Sequence, residues 1–425
     1  MAILNVTHRD RALHCVPSEV DGEEWVYQIG NPLQLSPTEC GIVLNIRRAN
    51  ILTGDLEIGN DLVILDRLDR IGTERIVPLN RSNTRPHPRT GKRTLFARYP
   101  LVGGFVPLGA KRPDGSEHPY AGTGFAVSQV IGFPCDSDVQ WAGHLSEEDQ
   151  YHAMELQQYE YDGRNFSVSS TVLLADVDLC PGWSLTSPGL CHAVPDRDDL
   201  LMGFCGNQEG RSPRSGILRW RRVGGEWQPV AFVPITGEDR SSEATLVRDT
   251  DDSILFTARG GGTSENAMRL WRSSDGGQSW EKLLDQPQFR AGTPISLNRC
   301  ADGSLYFAGN PERKTDSLGR ALPSIEMRET LLLWPLAQDR RSLLDPIVAR
   351  DCPAEFGPAP AGSIWRADHP VGLTVRLADG QWHHVFCYRV LDRDECVSDA
   401  VVTPCTGTYV EEVLSDGESG GLWQF

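Results

Sequence analysis

One unit, a pair of strand-length apolar segments joined by a polar turn, recurs along this chain, and its interval constrains the fold more than any other feature. In the clearest copy Ala244 to Val247 runs into the polar turn Arg248 to Ser253, and Ile254 to Ala258 returns to Arg259. This is the pattern of a β-hairpin with a longer loop. Counterparts begin at Asn31, Asn83, Ser187, Gly292 and Asp368, and their returning segments start at Ile42, Leu95, Leu200, Leu305 and Trp382. Most copies lie near 50 residues apart and are followed by a third apolar segment, as at Asp61, Tyr151, Ser215, Met268 and Glu329. A four-stranded sheet of about that length cannot bury both of its faces alone, so such units stack around a ring. The expectation is an all-β, six-bladed β-propeller of four-stranded antiparallel blades, formed by residues 1–425 as a single domain.

The interval from Leu95 to Leu200 is about twice the usual one. It is assigned to an insertion in the second blade at about residues 98–150; a seventh blade is the alternative. The insertion is rich in Gly and Pro and carries Tyr99, Phe105, His118, Tyr120, Phe125 and Trp141. Loops with that much aromatic surface often cover binding clefts, and the competing reading is a small packed subdomain. The first thirty residues are expected to supply an outer or ring-closing strand through Trp25, Val26 and Tyr27.

Net charge is -17, which removes the electrostatic basis for binding nucleic acid or an anionic membrane. No apolar run is long enough to span a bilayer and the chain does not start with an export signal. The expected location is cytoplasmic, or extracellular if a leader has been removed. The 11 Cys are odd in number and include no CxxC pair, which reads as free, buried thiols. No metal or other cofactor is expected, and oligomeric state cannot be read.

The third segment of the clearest copy ends in Ser273-Ser-Asp275-Gly-Gly277-Gln-Ser279-Trp280. Two adjacent glycines permit positive φ, Asp275 can cap the turn amides, and Trp280 can drop between neighbouring sheets. The octet fits the Asp-box pattern S-x-D-x-G-x-[ST]-W. With SSEATLVRDTDDSILFTAR (from Ser241), SLYFAGNP (from Ser304) and MRETLLLW (from Met327), it makes the chain resemble a divergent member of the sialidase (neuraminidase) superfamily, the BNR-repeat propellers, from about Asn31 to Val413.

Glu243 precedes one strand of its hairpin and Arg259 ends the next, which brings both to one rim of the ring. Arg328 opens a strand one blade further on, and two converging guanidinium forks suit a carboxylate. The resemblance implies the same: Glu243 matches the family Glu, and Arg259 and Arg328 match the second and third arginines of a carboxylate-binding triad. The first arginine has no positional match, with Arg47, Arg48 and Arg85 as substitutes. The family's Tyr-Ser pair in the last blade is replaced by Ala367-Asp368, and no Asp falls at the acid/base place.

His87, His192 and His369 all fall on expected first strands of blades and could face the axis. Their spread over three blades favours separate sugar contacts over one metal site. Asp368 with His369 could supply a general base. The expected site is therefore Glu243, His369 and Asp368 as catalytic groups, with Arg259, Arg328, Arg85, His87 and His192 binding substrate. The resemblance implies a glycoside hydrolase removing a terminal carboxylated sugar from an acidic oligosaccharide or glycoconjugate. A uronate lyase using His or Tyr as base, and a non-catalytic propeller binding acidic sugars, are the alternatives.

Overall fold

A computed structural model describes residues 4–7, 19–20, 23–48, 57–70, 75–136, 145–208, 213–237, 239–260, 267–290, 293–311, 328–359, 365–391 and 405–415. It is a ring of six antiparallel sheets. From the axis outwards, the first blade is Glu23–Ser36, Glu39–Arg48, Glu57–Leu65 and Ile76–Arg81, preceded by the short Glu19–Val20. The third is Trp183–Pro188 with Val194–Asp196, then Asp199–Gln208, Pro213–Val223 and Glu226–Pro234. The fourth is Ser241–Arg248, Ile254–Gly260, Ala267–Ser273 and Glu281–Arg290, and the fifth Ser296–Arg299, Leu305–Gly309, Thr330–Pro335 and Ile347–Asp351. The sixth takes Arg366–Arg376, Trp382–Leu391 and Gly407–Ser415 from one end of the chain and Leu4–Thr7 from the other. Leu4–Thr7 therefore closes the ring, whereas Trp25 to Tyr27, expected to do so, belong to the innermost strand of the first blade.

The blades stack because each sheet has two apolar faces. Each of the six seams is one hydrophobic cluster: Tyr159 packs with Leu33 between blades one and two, Phe125 with Trp220 between two and three, and Ile217 with Phe256 between three and four. Leu255 and Phe307, Tyr306 and Tyr388, and Val385 and Ile42 share the clusters of the remaining three. Burying one such side chain contributes about 1.5–3 kcal/mol, which is what holds a ring without a single central core.

The second blade departs from expectation. The segment read as an insertion contains Val102–Val106 and Thr123–Pro134, which pair with each other near the axis, and His152–Tyr161 and Phe166–Leu174 complete the blade. Gly103 and Gly104 broke the apolar pattern in the sequence, yet the strand requires them: a Cβ on Gly103 would lie 1.9 Å from the carbonyl oxygen of Phe125. The hairpin Asn83–Pro86 and Arg93–Arg98, expected as the inner pair, instead pairs with the far end of Thr123–Pro134 and lengthens the sheet. Phe105 and Phe125 are core residues, Tyr120 packs on Trp227, and Trp141 lies outside the described residues. The aromatic surface attributed to a cleft-covering loop thus largely builds seams.

The octet at Ser273 forms the turn between the third and fourth strands of blade four. Ser273 Oγ accepts from Gly277 N (2.8 Å), and Asp275 Oδ1 accepts from the amides of Gln278 (3.0 Å) and Ser279 (2.9 Å). Gly277 has φ 86° and abuts Ile217 of blade three, while Trp280 packs against the seam between those two blades. Among the described residues no helix is long and apolar enough to cross a membrane, and the described cysteines are free thiols, most of them buried.

Candidate active site

Innermost strands start, and second strands end, at one mouth of the ring. Glu243 lies near the start of Ser241–Arg248 and Arg259 near the end of Ile254–Gly260, with Ser242 paired to Arg259. In the sixth blade Asp368 pairs with Arg389 in the same manner. Both inner strands carry a bulge here, after Ser242 and after Asp368, and the bulged residues Glu243 and His369 take left-handed backbone, φ 40° and 52°. A bulge re-aims a side chain out of the sheet, and a non-glycine residue held at positive φ is a mark of functional mouths.

Two acid–arginine groupings result. Glu243 Oε2 accepts from Arg259 Nη1 at 2.8 Å, with both side chains about one quarter exposed. Asp368 is fully buried and accepts from two guanidinium groups, Arg328 and Arg389; the Arg389 Nη2 contact is 3.3 Å. Arg389 Nη1 also donates to Gln28 Oε1 (3.0 Å) on the innermost strand of blade one. Arg328 reaches Asp368 because its backbone is tied to blade six: its carbonyl accepts from Ala367 N at 2.5 Å. The mouth is thus shared by blades four, five, six and one.

His369 Nδ1 lies 2.8 Å from Asp368 Oδ1. Burial pushes the Asp368 carboxyl up, but Arg389, His369 and Arg328 outweigh it and hold it well below the ordinary carboxylate range. An ionised carboxylate only accepts, so Nδ1–H donates and Nε2 carries the free lone pair. Burial, reinforced by Arg389, lowers the His369 pKa despite Asp368, so the imidazole is neutral at pH 7. Burial likewise pushes Glu243 up, and Arg259, His369 and Arg328 together bring it below its usual value. The site therefore offers an ionised carboxylate, a neutral oriented imidazole and a partly exposed guanidinium side by side.

The expected residues separate accordingly. Glu243, Arg259, Arg328, Asp368 and His369 come together, but Arg259 and Arg328 are each paired to a different carboxylate of the protein. Arg85 and His87 belong to the hairpin that lengthens blade two. The Arg85 guanidinium stacks over Phe96 (4.4 Å), and His87 Nδ1 accepts from the amides of Arg89 and Thr90 (3.2 Å each), holding the hairpin turn. His192 follows the other end of an inner strand and lines the opposite mouth. Arg389 and Gln28 were missed. The signal for Arg389 is present in the sequence: Phe386-Cys-Tyr-Arg389 repeats the spacing of Phe256-Thr-Ala-Arg259 at the end of a second strand.

The hydroxyls of Tyr388, Tyr306 and Tyr27 engage elsewhere. Arg350 Nε donates to Tyr388 Oη (2.7 Å), Tyr306 Oη bonds His384 Nε2 (2.7 Å), and Tyr27 donates to Asp61 (3.0 Å). Among the described residues no cluster of three or more His, Cys, Asp or Glu side chains is placed to hold a metal ion.

No protein-family model and no curated protein matches the sequence. Among solved structures the chain is similar to Trypanosoma rangeli sialidase in complex with sialic acid, with TM-score 0.57 and 11% identity over 97% of this chain and 58% of that one. It is also similar to a Hadza microbial sialidase, with TM-score 0.56 and 11% identity over 92% of this chain and 66% of that one. A Dyadobacter fermentans protein of unknown function matches from end to end, with TM-score 0.57 and 12% identity over 98% of this chain and 99% of that one. This chain spans a little over half the length of the trypanosomal sialidase. At these identities the likeness is one of fold: a divergent, sialidase-like six-bladed propeller.

Proposed function

We propose that the mouth holding Glu243, Arg259, Asp368 and His369 is the active site of a glycan-active enzyme whose substrate is a sugar bearing a carboxylate, released from an oligosaccharide or glycoconjugate. The observation that carries this reading is the convergence of three guanidinium groups, two carboxylates and one imidazole from three adjacent blades, four, five and six, on a single mouth. Arg259 is the most exposed of the three arginines and is the one a substrate carboxylate can reach, in exchange for Glu243. Glu243, once released from Arg259, and His369, oriented by Asp368, are the groups that move protons. Arg328 and Arg389 hold Asp368 ionised.

The leading reaction is hydrolysis of the glycosidic bond. Elimination at a uronate is the second reading, and the Asp368–His369 hydrogen bond favours it, since elimination needs a base and a cation on the carboxylate but no tyrosyl nucleophile. Incubation with a panel of sialosides and uronides, followed by reducing-sugar release and by absorbance of unsaturated product, separates the two. Turnover of neutral glycosides only, or of none while acidic sugars bind, defeats both.

A further inference from the structure

We propose that the mouth opposite Glu243 binds a small monovalent anion on the guanidinium of Arg299. A cavity of about 80 Å³ lies there on the axis, where the far ends of innermost strands converge. Leu33, Val247 and Leu373 give it apolar walls, and Arg299 and His192 supply polar groups. Arg299 ends the inner strand of blade five. Its Nη1 donates to the carbonyl of Arg248 (3.0 Å), but Nε and Nη2 are buried without a hydrogen-bond partner in the protein.

The carboxylates whose fields reach Arg299, Asp249 and Asp302, are committed elsewhere. Asp249 takes two bonds of 2.9 Å from Arg340, and Asp302 accepts from the amide and hydroxyl of Ser304. A second arginine at the cavity, Arg248, is occupied by Pro195 O, Asp252 and Asp196. His192 Nδ1 is likewise buried and unpartnered, and burial holds its pKa down at about 4, so the ring is neutral and can donate one N–H. Two adjacent guanidinium donors and an imidazole N–H beside an apolar chamber form a pre-built anion site, because unmade hydrogen bonds of buried donor atoms are costly and an anion satisfies them. Size favours a small guest: a cavity that holds benzene measures roughly 150 Å³, so a halide, formate or acetate fits. The site bridges blades three and five and would tie the ring together when filled.

The test is thermal unfolding of the full chain in acetate or bromide, with gluconate, a much bulkier anion, keeping ionic strength constant. The expected result is a saturable rise in Tm with acetate and bromide that Arg299→Gln abolishes and Arg221→Gln, on the outer surface, leaves intact. Bromide-soaked crystals are expected to give an anomalous peak within hydrogen-bonding distance of Arg299 Nε or Nη2, a readout that survives if Arg299→Gln does not fold. A response equal to that in gluconate, an undiminished response in Arg299→Gln, or no bromide peak at Arg299 overturns the proposal.

Discussion

Glu243 and His369 stand at the same point of two innermost strands, in blades four and six, and both are held in left-handed backbone at a bulge, φ 40° and 52°. A bulge with the same backbone sign occurs at Leu185 in blade three (φ 48°), whose side chain is 48% exposed. The distortion is therefore a property of inner strands at this mouth, and the residue placed on it decides whether it is used. Where no chemistry is attached, the strain is removable. Leu185→Gly is expected to leave activity unchanged and to raise stability by up to about 1 kcal/mol, the left-handed penalty less the extra chain entropy of glycine. Denaturant unfolding measures this, and a clear loss of stability would mean the Leu185 side chain contributes more than its exposure implies.

Arg259 is the guanidinium that a ligand carboxylate can reach. Lysine there keeps the charge but loses the fork, so Arg259→Lys should weaken binding of acidic sugars by about tenfold or more, on the scale of a lost charge-assisted hydrogen bond. Binding of neutral sugars should be unaffected. Calorimetric titration with one sialoside, one uronide and one neutral analogue reads this directly. Equal affinity of Arg259→Ala and wild type for the acidic ligands would remove Arg259 from the ligand-binding role.

Asp368 is buried between Arg328 and Arg389 and supports the mouth from beneath. Asp368→Asn removes the anion from two buried cations, and breaking such a pairing costs about 3–5 kcal/mol. The sign of the pH dependence follows from the depressed folded pKa of Asp368. Its stabilisation is fully present above the unfolded carboxyl pKa, about 3.9, and fades as pH falls through the folded value. The gap in urea stability between wild type and variant should thus persist from neutral pH down to about 4 and narrow only below. A gap that already closes near pH 6 would show that Asp368 is not held ionised by its arginines.

The ring was legible because its repeat is written in apolar periodicity, and seam packing enforces that periodicity at every copy. Blade two was misread because its inner strand depends on Gly103 and Gly104, where close backbone approach replaces side-chain pattern. Glu243 and Arg259 could be placed from one hairpin, since strand order alone brings hairpin ends together. Arg389 required comparing two blades, and Gln28 required knowing that the first and last blades adjoin. His87 and His192 show the limit of position-by-position reading. Both belong to expected first strands, but one serves a turn and the other the opposite mouth, and sequence spacing carries no sign for which end of a strand a residue occupies.

His369 is the proton-transfer group on which the proposed chemistry turns. With Nδ1–H held by Asp368 and Nε2 unprotonated, it is competent as a base once its proton is lost, and burial places that loss below the ordinary value of 6.5. The dependence of kcat/KM on pH, which reports the free enzyme, is expected to rise along an acid limb with its midpoint below 6.5 and to be flat through neutrality. His369→Gln should abolish that limb and lower kcat by about 10²-fold or more with substrate binding retained, the usual cost of losing a general base. Glu243→Gln, tested beside it, should also lower kcat, but should keep the His369 limb and move its midpoint lower, because the imidazole and its Asp368 partner remain while the Glu243 charge that raises the His369 pKa is gone. Near-normal turnover in His369→Gln would assign proton transfer to Glu243 instead. A tyrosine labelled by a fluorosugar would restore a covalent mechanism.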